Sequence, residues 1–84
     1  MKNKSLVSRW LVLTRYDCSL CEIFISELVD LLGDQVTCLK VCDITGEGDL
    51  EQKYGHRIPV LLIDDEFVCA YRVDRERLQS YLDA

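Results

Sequence analysis

The sequence predicts an α/β fold in the order β-α-β-α-β-β-α, a mixed four-stranded sheet with helices on both faces. Three observations predict it. Short runs of β-branched and apolar residues alternate with stretches of helical period. A strand, a helix and a second strand in succession join parallel strands by a right-handed crossover. The last two strands lie three residues apart, too close for anything but an antiparallel hairpin. Layer packing then places helices over both faces of one sheet.

Residues 10–14, WLVLT, form a continuous apolar run, as expected of a strand buried on both faces. From Ser19 the pattern turns helical. Leu20, Phe24, Leu28 and Leu31 share a stripe widened by Ile25, Val29 and Leu32, and Gly33 supplies the stop. Residues 35–44, QVTCLKVCDI, return to strand character before Gly46 and Gly48 break the chain. DLEQKYGH reads as a short helix carrying Leu50 and Tyr54 and ended by Gly55. IPVLLID and EFVCAYR are the third and fourth strands, with Asp64 to Glu66 as the hairpin. The last element begins at Asp74, a good N-cap, and puts Leu78, Tyr81 and Leu82 on one helical face.

Eighty-four residues make one domain, read as 1–84 with a flexible N-terminal tail over 1–8. At 49% hydrophobic and 30% charged residues, the composition is that of a globular chain. A net charge of -5 without a basic cluster argues against nucleic acid, where Lys and Arg must neutralise phosphates, and fits a small monomer kept soluble by its charge. No run approaches the ~18 apolar residues of a membrane span. Lys2, Lys4 and Arg9 precede an apolar stretch, but that stretch is shorter than the ~7–15 residues of a signal-peptide core, so the expected location is the cytoplasm. Five cysteines, an odd number, suit a reducing compartment better than a disulfide framework.

The chemistry centres on LTRYDCSLCEIF, where Cys18 and Cys21 stand three apart at the switch from strand to helix. Three readings are open for such a pair: a redox couple, half of a metal site, or two buried thiols. The thiolate is the nucleophile of disulfide exchange, and unpaired N–H groups at a helix N-terminus favour it. Arg15 adds positive potential, while the adjacent Asp17 opposes a second negative charge. Cys21, one turn into the helix, is within bridging distance of Cys18 and can expel a mixed-disulfide partner. Cys18 is thus the attacking thiol and Cys21 the resolving one. The metal reading draws on Cys38 and Cys42, which follow in a C-x3-C pattern resembling half of a four-cysteine zinc site. In a strand, however, those two stand ~13 Å apart, too far to share one tetrahedral ion. Cys38, Cys42 and Cys69 are therefore read as core or half-buried thiols.

These residues resemble the thioredoxin superfamily, and more closely its glutaredoxin branch and the short bacterial glutaredoxin-like proteins. The likeness covers nearly the whole chain. TRYDCSLC has the basic residue three positions before the first cysteine, here Arg15. VCDITGEGDLEQKYGHRIPVLLID resembles the family's second half, with an apolar residue before proline. The resemblance implies a thioredoxin-like fold and dithiol–disulfide oxidoreductase activity on protein or small-molecule thiols and disulfides. No bound cofactor is implied, and glutathione is a candidate co-substrate. It also implies that Pro59 is cis and faces the cysteine pair, and that the backbone of Ile58 pairs with bound substrate as an added strand does. Arg15, Arg57 and Asp74 are the candidate contacts for glutathione. Ser19 and Leu20 stand where glutaredoxins have proline and tyrosine. AYRVDRERL replaces the Gly-Gly turn and acidic pair, leaving Asp74 as the acidic contact. A second class of reading is a thioredoxin fold serving as an adaptor, or holding an Fe–S cluster or other metal through Cys18.

The remaining candidates carry less. His56, the single histidine, reads as a loop residue beside Arg57. Trp10 is expected at the sheet edge, and Tyr16 is expected either to line the groove beside Cys18 or to cover the helix end. Arg72, Arg75 and Arg77 are expected on the solvent side of the last helix.

Overall fold

A computed structural model of the chain describes residues 9–82, so the expected tail over 1–8 lies outside the described residues. The elements are β1 (Trp10–Thr14), α1 (Ser19–Leu32), a 3-10 segment (Gly33–Cys38), β2 (Leu39–Asp43), α2 (Gly48–Tyr54), β3 (Val60–Ile63), β4 (Glu66–Ala70) and α3 (Arg75–Leu82). This is the expected β-α-β-α-β-β-α order. The sheet order is β2-β1-β3-β4, with β1 and β2 parallel and the other two pairings antiparallel. No described helix is long and apolar enough to cross a membrane.

Alternation along the two central strands divides the core. Trp10, Val12, Leu61 and Ile63 join Phe24, Leu28 and Leu32 of α1 and Leu78 of α3 on one face. Leu13, Val60 and Leu62 face the other way, with Ile44 and Tyr54 of α2. Both faces of β1 and β3 are thus covered, which is why those runs are apolar without a polar alternate.

Four details differ from the sequence reading. β2 starts at Leu39, four residues after position 35. It pairs residue for residue with the five-residue β1, from Trp10–Leu39 to Thr14–Asp43, so the chain before Leu39 has no strand to pair with. Cys38 therefore ends the 3-10 segment and is not in the strand, which removes the basis of the ~13 Å separation assigned to Cys38 and Cys42. The buried stripe of α1 is Cys21, Phe24, Leu28 and Leu32, while Leu20 and Val29 are exposed. The helix is rotated so that Cys21, and not the leucine before it, is buried. Gly48, expected as a breaker, is the first residue of α2, and Trp10 is buried in the core because β1 is an interior strand.

The hairpin between β3 and β4 is tight. Asp64 and Asp65 have φ of 51° and 72°, the pair of positive values a two-residue type I′ turn needs. Aspartate accepts this conformation more readily than most side chains. Arg9 and Asp64 lock the turn: the Arg9 N–H donates to the Asp64 side-chain Oδ1 and the Asp64 N–H to the Arg9 carbonyl, both at 2.8 Å. In β4 an extra residue, Val68, falls between the Leu61–Cys69 and Leu62–Phe67 pairs. This bulge lets the consecutive Val68 and Cys69 both bury on the α1 and α3 side.

α3 starts as expected. Asp74 Oδ1 accepts the Arg77 N–H at 3.0 Å, the side-chain cap on the third helical residue. Asp74→Ala should lower unfolding stability by about 1 kcal/mol, and Asp74→Ser should restore most of it. Urea denaturation checks this; an unchanged midpoint in the alanine variant would show that the cap contributes nothing.

Candidate functional site

The site forms where β1 ends. Five residues of strand bring the chain to the sheet's carboxyl edge, and Arg15, Tyr16 and Asp17 turn it into α1. Asp17 sits at φ 70°, a left-handed conformation that aspartate, asparagine and glycine take with least cost. The turn is held by the β2–α2 loop. The Ile44 N–H donates to the Thr14 carbonyl at 2.9 Å, and the Tyr16 N–H donates to Thr45 Oγ1 at 3.1 Å. The Thr45 N–H donates in turn to Asp43 Oδ1 at 2.8 Å. Hydrogen bonds from Thr45, and then the nearby Arg15 charge, hold the Asp43 carboxyl below its usual range.

Cys18 is the N-cap of α1. Its backbone is extended, at φ -121° and ψ 103°, and its Sγ accepts the Cys21 N–H at 3.2 Å. A sulfur in this place is met by a helix N–H and by the positive end of the helix dipole, which favours a thiolate over a thiol. Cys18 and Cys21 are joined as a disulfide, with Cα atoms 5.4 Å apart. The two sulfurs differ in access: Cys18 is half-buried at the surface, and Cys21 is only 4% exposed. Position in the helix produces this difference, since Cys21 lies on the inward stripe.

Two surface hollows border Cys18. One is lined by Thr14, Arg15, Asp17, Glu22, Ile25 and Val41 along with the two cysteines and Ser19. The other is lined by Arg15, Tyr16, Asp17, Gly55 and Ile58. Ile58 therefore shares a hollow with Cys18, and the Ile58–Pro59 peptide bond is cis, with Pro59 buried. Tyr71 holds this segment from the other side. It follows β4 at φ 69°, its N–H donates to the Pro59 carbonyl at 2.8 Å, and its hydroxyl donates to the His56 carbonyl at 2.7 Å.

The other candidates are held by further contacts. Arg15 lines both hollows beside Cys18, with its guanidinium tied to α2. Its Nη2 is 3.1 Å from Glu51 Oε2, and its Nη1 donates to the Gly55 carbonyl at 3.3 Å. Gly55 has a right-handed φ of -55°, and any β-carbon there would collide with the Glu51 carbonyl oxygen. Arg57 lies over the Phe67 ring, 6.0 Å from its centroid. With Asp74 it lines a separate hollow along β4 that Cys18 does not border. Arg57 and Asp74 are thus not gathered at the cysteine pair. Tyr16, 79% exposed, does not cover the helix end and instead lines the hollow that Cys18 shares with Ile58. Arg75 pairs with Glu27 of α1 at 3.8 Å.

The three other cysteines are free thiols. Burial pushes the Cys38 and Cys69 thiols up from their usual range, against the lowering effect of backbone hydrogen bonds. Cys42 packs on the α2 side of the sheet. Among the described residues no three His, Cys, Asp or Glu side chains converge on one point. The sequence reading missed Tyr71 and Glu51. Both lie in stretches quoted for the resemblance, but their partners are distant in the chain: Glu51 meets Arg15, and Tyr71 meets His56 and Pro59.

Comparison with known proteins agrees with this geometry. The family model Glutaredoxin-like domain (DUF836) matches residues 10–83. Among solved structures, the solution NMR structure of protein Ne2328 from Nitrosomonas europaea is similar, with a TM-score of 0.81 and 31% sequence identity over 96% of this chain and 98% of that one. No curated protein matches.

Proposed function

Because the chain belongs to the glutaredoxin-like domain family and has a thioredoxin-like fold, we propose that it is a dithiol–disulfide oxidoreductase working through Cys18 and Cys21. The observation that carries the proposal is the asymmetry of the pair. Cys18 is accessible and capped by a helix N–H, while Cys21 is buried one turn away within bonding distance.

The Cys18 thiolate attacks one sulfur of a substrate disulfide, forming a mixed disulfide and releasing the first substrate thiolate to take a proton from solvent. The Cys21 thiolate then attacks Cys18 Sγ, forming the Cys18–Cys21 bond and releasing the second thiol. Two electrons pass from the protein dithiol to the substrate. Ile58, beside Cys18 in one hollow, supports an extended substrate segment by backbone pairing: among the described residues no hydrogen bond to its N–H or carbonyl is made. Pro59 shapes that wall. We place this chemistry in a reducing cytoplasm and in a monomer, consistent with five cysteines of which three are free thiols.

A redox titration followed by mass spectrometry, in dithiothreitol and in glutathione buffers, tests the proposal. The expected result is a reversible loss of two hydrogens localised to the Cys18–Cys21 peptide. A pair that stays reduced at every poise would refute it.

A further inference from the structure

We propose that Glu51 is a specificity-determining residue: by engaging Arg15 it withdraws the cation nearest Cys18, so that the site takes cationic and neutral disulfides in preference to anionic ones. The inference rests on the redox reading above and names the substrate class of the same site.

Among the residues lining the two hollows that border Cys18, Arg15 is the sole base, and Asp17 and Glu22 are the acids. A free Arg15 would offset one of them and offer a substrate carboxylate a partner. It is not free. Glu51 holds one guanidinium nitrogen at 3.1 Å and the Gly55 carbonyl takes the other at 3.3 Å. The two partners come from α2 and its end, so the guanidinium is held by two fixed points. Among the described residues Asp17 and Glu22 have no ion-pair partner. Arg57, the other arginine proposed to meet an anionic ligand, lies over Phe67 at the separate hollow along β4.

A substrate carboxylate approaching Cys18 meets two like charges and an arginine already paired. An ammonium or guanidinium approaching the same sulfur meets two opposite charges. Glutathione, a tripeptide thiol with a net negative charge, belongs to the disfavoured class. A polypeptide disulfide flanked by lysine or arginine belongs to the favoured one. Exposed Tyr16 and Leu20, at 79% and 48%, give such a chain apolar surface on either side of Cys18.

The test uses the reduced full chain and three small disulfides: cystamine, which carries two ammonium groups, neutral 2-hydroxyethyl disulfide, and 3,3′-dithiodipropionate, which carries two carboxylates. Each rate of protein oxidation is divided by the rate of dithiothreitol with the same disulfide, which removes differences in the leaving thiol. At ~0.01 M salt the corrected rate for cystamine should exceed that for dithiodipropionate about tenfold, as opposite and like charges at contact distance differ in water. The ratio should fall to about twofold near ~1 M salt, where the Debye length is only about 3 Å. Glu51→Gln, which removes an acid and frees Arg15, should cut the low-salt ratio at least about threefold. Asp17→Asn, which keeps a side chain able to take the left-handed backbone, should lower it less. Dithiodipropionate reacting as fast as cystamine in the natural chain overturns the inference, and so does a ratio that Glu51→Gln leaves unchanged. Failure of 2-hydroxyethyl disulfide to oxidise the protein at all would instead overturn the redox reading beneath it.

Discussion

Cys18→Ser is expected to bring disulfide reduction down to the rate of the uncatalysed exchange. A serine hydroxyl is not ionised near neutral pH and cannot form the mixed disulfide, so no step remains for Cys21 to resolve. Cys21 cannot substitute, because a residue only 4% exposed offers a substrate disulfide almost no sulfur to meet. Cys21→Ser should behave differently. Cys18 keeps its place at the helix cap, attacks normally, and accumulates as a mixed disulfide that only an external thiol can release. Two measurements separate these outcomes: turnover of a small disulfide, and the mass of the trapped protein. If Cys18→Ser retains full activity, or if Cys21→Ser is the variant that cannot form the mixed disulfide, the roles assigned to the two sulfurs are wrong.

Phe24→Ala should produce the largest loss of stability, about 3–5 kcal/mol. Phe24 is 1% exposed and sits between the sheet and the rest of the α1 stripe. Removing the ring deletes its burial and leaves a cavity that a thin core can only partly close. For a domain of 84 residues the whole margin is only about 4–13 kcal/mol at typical per-residue values, so this one substitution takes much of it. Ile23, its neighbour in sequence, is 59% exposed. Ile23→Ala should change stability by no more than about 0.5 kcal/mol. Urea denaturation of both variants checks the contrast. Equal losses would mean that α1 is rotated relative to the sheet, which would also displace Cys21 from the core and remove the asymmetry of the pair.

The two predictions share a cause. The helical register that buries Phe24 also buries Cys21 three residues earlier and leaves Cys18 at the cap. Stability and the asymmetry of the pair are thus set by one orientation of α1, which leaves Leu20 and Ile23 on its exposed face.

Much of this was legible in the order of residues. The seven elements, the parallel β1–β2 pair and the antiparallel β3–β4 pair follow from apolar periodicity and from the lengths of the connections, whereas the antiparallel pairing of β1 with β3 is set by the tertiary fold. The Cys18–Cys21 spacing at a strand-to-helix switch is equally local. Asp74 as a cap and the Asp64–Asp65 turn depend on preferences of single residues for their own backbone. Where sequence reading slipped, the deciding contact was distant. β2 begins at Leu39 because β1, twenty-five residues earlier, has only five residues to offer it. The buried stripe of α1 includes Cys21 in place of Leu20 because the sheet beneath sets the angle of the helix, and both choices satisfy a helical period.

The side chain of Arg15 marks the boundary most clearly. From the sequence it is a cation three residues before a thiol, and proximity along the chain suggests that it serves that thiol. Folding brings Glu51, thirty-six residues away, to 3.1 Å from its guanidinium. A long, flexible, charged side chain goes to whichever partner the packing of other elements presents, and no local preference records that choice. Backbone order and the reactive pair are written in neighbouring residues. The charge that a substrate meets at Cys18 is settled only when α2 docks against the end of β1.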